Sequence, residues 1–247
     1  MPIQNQNDPL SSPARRSILA LGGGVAAVGL AASTLNTASA SERPVAEPVS
    51  GPYPVPPPEK TAGPIKPARG TNLTGKVAVV TGAARGIGRA IAVEFAANGA
   101  DVIALDIAGP VSPTADAAPA TKTELEETVA QIRAYGRRGE AIVADIRKIK
   151  QLRSAADHIE RTYGKIDCVV ANAAIQGWKP LLEMDDNDWE DQIQNNLTGT
   201  ANTVRAFAPK MVARKYGRLI LLSSMQGRMG TMSGASYSAS NTKGYCL

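Results

Sequence analysis

The chain has 247 residues, 43% hydrophobic and 20% charged, which are values of a globular protein of about one domain with additional segments. Its net charge of +5 comes from lysines and arginines scattered along the sequence, and a nucleic-acid-binding protein would need a basic stripe. The cysteines Cys168 and Cys246 and the single histidine, His158, form no ligand cluster, so we predict no metal site.

An export signal is predicted over residues 1–40. The pair Arg15-Arg16 precedes an uncharged, glycine-rich apolar run from Ser17 to Ala32, and Thr37 to Ala40 reads as an A-x-A-like cleavage site. The pair and the weakly hydrophobic run are similar to a twin-arginine signal, and ordinary secretion is the other route that fits them. We expect a mature protein outside the cytoplasm, in the periplasm, with no membrane span left after cleavage. The alternative is an uncleaved membrane anchor.

A proline-rich linker is predicted over residues 41–71. Nine prolines fall between Arg43 and Gly70. Proline fixes φ and lacks an N–H group, so this segment cannot enter a helix or sheet interior and should be extended. The folded domain is predicted to occupy residues 72–247.

A glycine-rich turn is the most informative stretch of the sequence. Lys76 to Val80 is a short β-branched run that predicts a buried strand, and Arg89 to Asn98 has the apolar spacing of a helix. Thr81 to Gly88 lies between them, with glycines at 82, 86 and 88. Glycines at such a strand-to-helix turn allow a tight bend, a close approach of the backbone to a pyrophosphate, and close packing of helix on strand.

The rest of the chain alternates between strand and helix patterns. Acid-rich and amphipathic segments predict helices at Thr123–Tyr135 and Lys148–Tyr163, and a long helix capped by Asp185 or Asp186. Further strands are predicted at Asp101–Asp106, Glu140–Asp145, Ile166–Val170 and Arg218–Ser223. This alternation predicts an α/β fold with a doubly wound parallel sheet. Ile107 to Thr121 is a loop longer than usual for such a connection.

The pattern T-G-x-x-x-G-x-G, with Ser224 followed 13 residues later by Tyr237, resembles the short-chain dehydrogenase/reductase family. The resemblance covers about Asn72 to Tyr237. It implies the strand order 3-2-1-4-5, hydride transfer between a nicotinamide cofactor and an alcohol or carbonyl substrate, and a homo-oligomer. The long loop at Ile107 resembles a subgroup that includes carveol dehydrogenase-like proteins, whose cofactor is held tightly.

The resemblance also implies a cofactor site. Its residues would be Gly82, Arg85, Gly86, Ile87 and Gly88 in the turn, Asp106 at the end of the second strand, Asp145 and Ile146 beside the adenine, and Asn172 and Ala173 after the fourth strand. An acid at Asp106 would accept hydrogen bonds from the ribose hydroxyls and repel a 2′-phosphate, which favours NAD over NADP. Arg85 points the other way, because a basic residue in the turn can help to hold that phosphate.

Ser224, Tyr237 and Asn196 are the catalytic residues that the resemblance implies. Tyrosine would exchange a proton with the substrate oxygen, serine would hold that oxygen, and asparagine would hold a relay water. The family has lysine four residues after the tyrosine, whereas this chain has Asn241 there and Lys243 two positions later. A helix places i+6 away from the face shared by i and i+4, so Lys243 should not replace that lysine.

The sequence ends at Leu247, before the last helix, two strands and lid of the family pattern. A shifted reading frame, a fragment and a degenerate gene product would all give this pattern, and each predicts missing C-terminal strands and a weaker oligomer interface. The alternative function is therefore a catalytically impaired dinucleotide-binding protein. Candidates for lining a substrate pocket are Gln176, Trp178, Met225, Gln226 and Met229, and core packing explains the methionines as well.

Overall fold

The computed structural model describes residues 70–242, so the predicted export signal, nearly all of the predicted linker, Lys243 and Cys246 lie outside the described residues. This part of the chain contains a sheet of five parallel strands. They are β1 (Val77–Thr81), β2 (Asp101–Asp106), β3 (Gly139–Val143), β4 (Cys168–Ala171) and β5 (Arg218–Leu221). Their order, β3-β2-β1-β4-β5, confirms the predicted doubly wound sheet.

Six α-helices accompany these strands between residues 70 and 242. They are α1 (Gly86–Ala97), α2 (Lys122–Ala134), α3 (Ile149–Tyr163), α4 (Asp186–Gln192), α5 (Gly199–Ala213) and α6 (Ala235–Asn241). The first three connect successive strands from β1 to β4, α4 and α5 lie between β4 and β5, and α6 follows β5. Across residues 70–242, no helix combines the length and the apolar character needed to cross a bilayer.

The sheet is covered by apolar side chains on both faces. β1 is buried along its whole length. Because successive residues of a strand point to opposite faces, Val79 packs in one hydrophobic cluster with Phe207 of α5, and Val80 packs in a second cluster with Ile132 of α2. Helices therefore lie on both sides of the sheet, and the carboxyl ends of its strands are free to carry polar residues and loops.

Four predicted boundaries were wrong by two or three residues. β4 begins at Cys168 rather than Ile166, and β5 ends at Leu221 rather than Ser223. α1 begins at Gly86, not Arg89, because the N–H of Arg89 already donates to the carbonyl of Arg85 (3.2 Å). β3 ends at Val143, not at Asp145, because Val143 pairs with Asp106, the last residue of β2. Asp145 therefore lies in the loop beyond the strand.

The single long helix predicted after Asp185 is interrupted. Asp185 caps α4 as predicted, since its side chain accepts the N–H of Asp188 (2.9 Å) in a capping box. A π-helical turn at Ile193–Thr198 then separates α4 from α5. Such wide turns are rare and often occur at functional sites. Pro209, the predicted kink, lies inside α5.

Asp167, just before β4, is expected to stabilise the fold in a pH-dependent way. Its carboxylate accepts the N–H of Val77 (3.0 Å) and lies 3.3 Å from both Lys165 and Arg214. Burial raises the pKa of this carboxyl, but the hydrogen bond and the two cations outweigh burial, and the pKa lies below its ordinary value. A lowered folded-state pKa gives stability that is present above the unfolded-state value of ~4 and is lost as the pH falls through the folded-state value.

Asp167→Asn should therefore lower the free energy of unfolding by about 1–3 kcal/mol at neutral pH and by much less near pH ~3. Thermal unfolding at the two pH values measures this difference. The control is Asp157→Asn, which removes an exposed ion pair with Lys210 (2.8 Å) and should lower stability much less than Asp167→Asn does, because solvent screens exposed charges. An equal loss for Asp167→Asn at both pH values would contradict the assignment.

Candidate functional site

The glycine turn between β1 and α1 is too crowded for side chains at two of its glycines. A Cβ at Gly88 would lie 1.9 Å from the carbonyl oxygen of Gly82, and one at Gly82 would lie 2.8 Å from Nδ2 of Asn172. Gly82 and Gly86 also have positive φ values, +68° and +56°, which glycine adopts without strain. A Cβ at Gly86 would meet nothing within 4 Å. The turn therefore packs tightly against the sheet and is open on the side of Gly86.

The turn is held in place from behind by α2 and by Arg89. Thr128 of α2 is buried and donates its hydroxyl to the carbonyl of Ala83 (2.9 Å). Arg89 donates through Nε to the carbonyl of Ala84 (2.9 Å) and to Thr128 (3.0 Å). These bonds fix the direction of two carbonyl groups of the turn. Arg89 and Thr128 belong to no short sequence motif, and the sequence analysis therefore did not identify them.

Asp106 lies at the carboxyl end of β2, directly beneath the turn. One carboxylate oxygen accepts the N–H of Ala84 (3.0 Å), and the other accepts the N–H of Ala108 (2.9 Å). The side chain is buried, so a negative charge is held at one fixed place at the edge of the cleft.

Asn172 connects β4 to the turn, as the resemblance implies. Its Nδ2 donates to the carbonyl oxygens of Thr81 (2.9 Å) and Gly82 (3.3 Å). In return, the hydroxyl of Thr81 accepts the N–H groups of Asn172 (3.0 Å) and Ala173 (3.1 Å). These hydrogen bonds hold the carboxyl ends of β1 and β4 together at the point where the strand order of the sheet reverses.

Arg147 forms a hydrogen-bonded ion pair with Asp145. The guanidinium donates to both oxygens of Asp145 at 2.8–2.9 Å, and this hydrogen bonding raises the pKa of Arg147. Arg147 also donates to the carbonyl of Val111 (3.0 Å) in the long loop. Sequence reasoning selected Asp145 and Ile146 and missed Arg147.

The long loop after β2 is attached to the rest of the site at several points. Arg85 of the glycine turn donates to the carbonyl of Ala118. Asp191 of α4 accepts the hydroxyls of Ser112 and Thr114. The loop is therefore a wall of the site, although its sequence indicated only a long connection.

These elements enclose a cavity of about 350 Å³ at the carboxyl ends of β1, β2, β3 and β4. All ten residues that the sequence assigned to a cofactor line it: Gly82, Arg85, Gly86, Ile87, Gly88, Asp106, Asp145, Ile146, Asn172 and Ala173. The long loop adds residues such as Val111, Ser112 and Ala118. The cavity lies at the topological switch point, where open α/β sheets bind ligands.

The two residues expected to handle the substrate do not line this cavity and lie beyond it. The Ser224 hydroxyl oxygen accepts the backbone N–H of Gln226 (3.2 Å), so its hydrogen can point elsewhere. Tyr237, near the start of α6, lies next to Trp178, with 6.3 Å between the ring centroids.

Asn196 is buried in the π-helical turn, and its side-chain amide makes several bonds. The amide accepts the N–H of Ile175 (2.8 Å), donates to the carbonyl of Ile175 (2.9 Å) and donates to the hydroxyl of Ser240 (3.1 Å). The backbone carbonyl of Asn196 accepts the hydroxyl of Thr200 (2.7 Å). In this geometry the side chain joins the loop after β4 to α6, one turn from Tyr237.

Asn241 ends α6 and is buried. Its side chain donates to the carbonyl of Tyr237 (2.9 Å), and its own carbonyl accepts the hydroxyl of Ser223 (2.5 Å). The position where the family has lysine therefore carries a neutral amide, which donates a hydrogen bond to a backbone carbonyl of the same helix.

The histidine and cysteine of the described residues lie in surroundings that do not form a metal site. His158 lies at the surface 2.6 Å from Glu140, and burial raises the pKa of the half-buried Cys168 thiol. Within residues 70–242, no group of His, Cys, Asp and Glu side chains could hold a metal ion.

The sheet, the crowded glycine turn and the buried acid at the carboxyl end of β2 together define a dinucleotide-binding α/β protein. Comparison with known families gives the same class: the short chain dehydrogenase family matches residues 76–243, and the chain belongs to this family.

Several relatives resemble the chain over most of this domain. An uncharacterised NAD-dependent oxidoreductase of Mycobacterium tuberculosis is 46% identical over 70% of this chain and 63% of the relative. Among solved structures, carveol dehydrogenase from Mycobacterium avium in complex with NAD has 36% identity and a TM-score of 0.68, over 71% of this chain and 64% of that one. NAD⁺-bound xylitol dehydrogenase has 28% identity and a TM-score of 0.64. The chain thus spans less than two thirds of the length of these relatives.

Proposed function

We propose that the chain is an oxidoreductase that binds NAD in the cavity and transfers a hydride between NAD and an alcohol or carbonyl compound. The observation that carries the proposal is the glycine turn, whose backbone is fixed from behind by Arg89 and Thr128 and which is open at Gly86. The start of α1 there offers backbone N–H groups and the positive end of a helix dipole to a pyrophosphate. The names of the relatives favour an oxidoreductase over a dinucleotide-binding protein without turnover.

The charges in the cavity support NAD over NADP. Asp106 is buried, and the ribose of the adenosine would lie beside it, so a 2′-phosphate would meet a negative charge. Arg85 could offset that charge in principle, but its guanidinium donates to the carbonyl of Ala118 and is engaged with the loop.

The substrate residues have distinct roles in this proposal. Bound NAD⁺ would supply a hydride acceptor next to the substrate carbon. Tyr237, as its phenolate, would take the proton from the hydroxyl oxygen of the alcohol, and bound NAD⁺ would accept the hydride from the carbon that bears this oxygen, so that the carbonyl compound forms. Ser224 would donate its hydroxyl hydrogen to the substrate oxygen while its own oxygen accepts the N–H of Gln226. Asn196 positions α6, on which Tyr237 stands.

Calorimetric titration with NAD and NADP tests the proposal. We expect NAD to bind at least about tenfold more tightly, because an interface discriminates strongly against a like charge. Asp106→Ala should bring the two dissociation constants close together. The control is Asp101→Ala at the opposite end of β2, which loses an ion pair with Arg137 (2.7 Å) and should keep the preference. Equal or tighter binding of NADP by the unmodified chain would refute the role of Asp106, and failure to bind either nucleotide would refute the function.

Location outside the cytoplasm is proposed from the sequence of residues 1–40 alone. The arginine pair, the apolar run and the small-residue site support export, and a folded, cofactor-loaded domain is the kind of cargo that a twin-arginine signal carries.

A further inference from the structure

Buried polar atoms without partners are concentrated around α6, the helix that carries Tyr237. Between residues 70 and 242, five buried side-chain nitrogen or oxygen atoms have no hydrogen-bond partner. Two are arginine Nε atoms, and these arginines are bonded through their other guanidinium nitrogens. The other three are Oε1 of Gln192, Oε1 of Gln226 and Oγ of Ser238. Burying an acceptor without a donor is costly, so these oxygens need a reason, and a ligand that brings the donor is one.

Gln192, the last residue of α4, connects the segment that carries Trp178 to α6. The side chain is buried, and its Nε2 donates to the carbonyl of Gly177 (2.8 Å) and to the hydroxyl of Ser236 (3.0 Å). Both hydrogens of Nε2 are used in this way, which fixes the orientation of the amide. Its Oε1 finds no donor within the described part of the chain. Gln192 therefore holds the neighbours of Trp178 and Tyr237 together and leaves one acceptor unused.

Gln226 lies two residues after Ser224 and close to the Trp178–Tyr237 pair. Its backbone N–H donates to the hydroxyl oxygen of Ser224 (3.2 Å). Its Oε1 would lie 3.3 Å from a Cβ placed on Gly234, and the Trp178 ring would lie 2.6 Å from the same Cβ. Gly234 directly precedes α6, and the ring centroids of Trp178 and Tyr237 are 6.3 Å apart. The backbone of Gln226 thus contacts Ser224, and its side chain reaches the residues that adjoin Tyr237.

We infer that Gln226 determines substrate specificity: its Oε1 accepts a hydrogen bond from a second hydroxyl group of the substrate, which is then a diol or a hydroxy ketone. This inference rests on the proposed oxidoreductase function and names the substrate class of the same site. Gln226 as a whole is only partly buried, so rotation about its side-chain bonds can turn the oxygen towards a ligand. A hydroxyl that donates to this oxygen replaces its hydrogen bond to water, whereas an alcohol without that hydroxyl leaves the acceptor unpaired.

Ligand binding to the chain loaded with NAD tests the inference without turnover. The chain has two tryptophans, so Trp189→Phe in the full chain leaves Trp178 as the only one. Cyclohexanol and the position isomers of cyclohexanediol are the probes, and the emission of Trp178 is the signal. We expect at least one diol to bind about fivefold or more tightly than cyclohexanol, which corresponds to the gain of one hydrogen bond.

Gln226→Met removes the acceptor and keeps the length of the side chain. In this variant the diol should bind no better than cyclohexanol, and cyclohexanol itself should bind as before or more tightly. The matched control is Gln131→Met at an exposed position of α2, which should keep the preference for the diol. Thermal unfolding of Gln226→Met should show no loss of stability, because a buried acceptor without a partner does not stabilise the fold.

Diols that bind no more tightly than cyclohexanol would overturn the inference, as would a preference for the diol that survives in Gln226→Met. A clear loss of stability in Gln226→Met would show that the amide is used within the protein and would also overturn it. Calorimetry with NAD separates this inference from the proposed function. NAD binding without any preference for a diol contradicts the substrate class alone, whereas absence of NAD binding contradicts the proposed function.

Discussion

Asn241→Lys is expected to raise the rate of alcohol oxidation at neutral pH by about 10²–10³-fold. A phenol ordinarily titrates near ~10, so little phenolate is present at neutral pH without a nearby cation. A cation that shifts the equilibrium by a few pKa units increases the phenolate by that factor, since each unit is a factor of ten. Asn241 lies one helical turn after Tyr237, so a lysine there would stand on the same face of α6.

The neutral variant Asn241→Gln is the control, because it changes length and hydrogen bonding without adding charge. NADH formation from cyclohexanol and other secondary alcohols between pH ~6 and ~11 is the measurement. The gain from lysine should be greatest at neutral pH and should disappear near the pH where the phenol ionises unaided.

Position 241 is buried, so thermal unfolding of each variant must accompany the kinetics. Asn241→Lys loses the bond to the Tyr237 carbonyl (2.9 Å), and a folded variant without the gain would show that the cation does not act on Tyr237. Rapid turnover by the unmodified chain at neutral pH would show that another group supplies the charge.

Gly88→Ala is expected to weaken NAD binding strongly and to destabilise the domain. The new Cβ would lie 1.9 Å from the Gly82 carbonyl oxygen and 2.7 Å from Nδ2 of Asn172. A backbone oxygen cannot move aside as the end of a long side chain can, so α1 and the turn must separate. We expect a loss of stability on the order of 3 kcal/mol and NAD binding weaker by about 100-fold, because the N–H groups of the turn are displaced.

Two other glycines provide comparisons, one that should be neutral and one that tests backbone strain alone. A Cβ at Gly230 would meet nothing within 4 Å, so Gly230→Ala should change neither stability nor binding. Gly86 is equally uncrowded but has φ +56°, so Gly86→Ala should cost about 1–2 kcal/mol of stability and place a methyl group at the open side of the turn. Thermal unfolding and NAD calorimetry measure both effects. If Gly88→Ala bound NAD normally, the turn would not be the nucleotide cradle.

Most residues that line the cavity could be predicted, because the family resemblance assigns them to positions beside strands and a turn that local patterns mark. The glycine turn lies between a strand and a helix that are adjacent in sequence, and Asp106 ends an apolar run whose period shows where the strand stops. Residues whose contribution depends on distant partners were missed. Thr128 meets the turn across 45 positions and Asp191 meets Ser112 across 79, and neither separation leaves a repeat in the sequence.

The sequence by itself determined the α/β class, the five strands, the glycine turn and, through the family resemblance, the strand order and the candidate site residues. These depend on local periodicity and short-range turn chemistry, which are properties of neighbouring residues. Only the tertiary structure decided how the polar groups are used. In the folded chain, Asp145 pairs with Arg147, and Arg85 donates to a carbonyl of the long loop. A π-helical turn that contains Asn196 interrupts the predicted long helix. Buried donors and acceptors must find partners across the whole fold, and the choice among distant partners is made only when the chain packs.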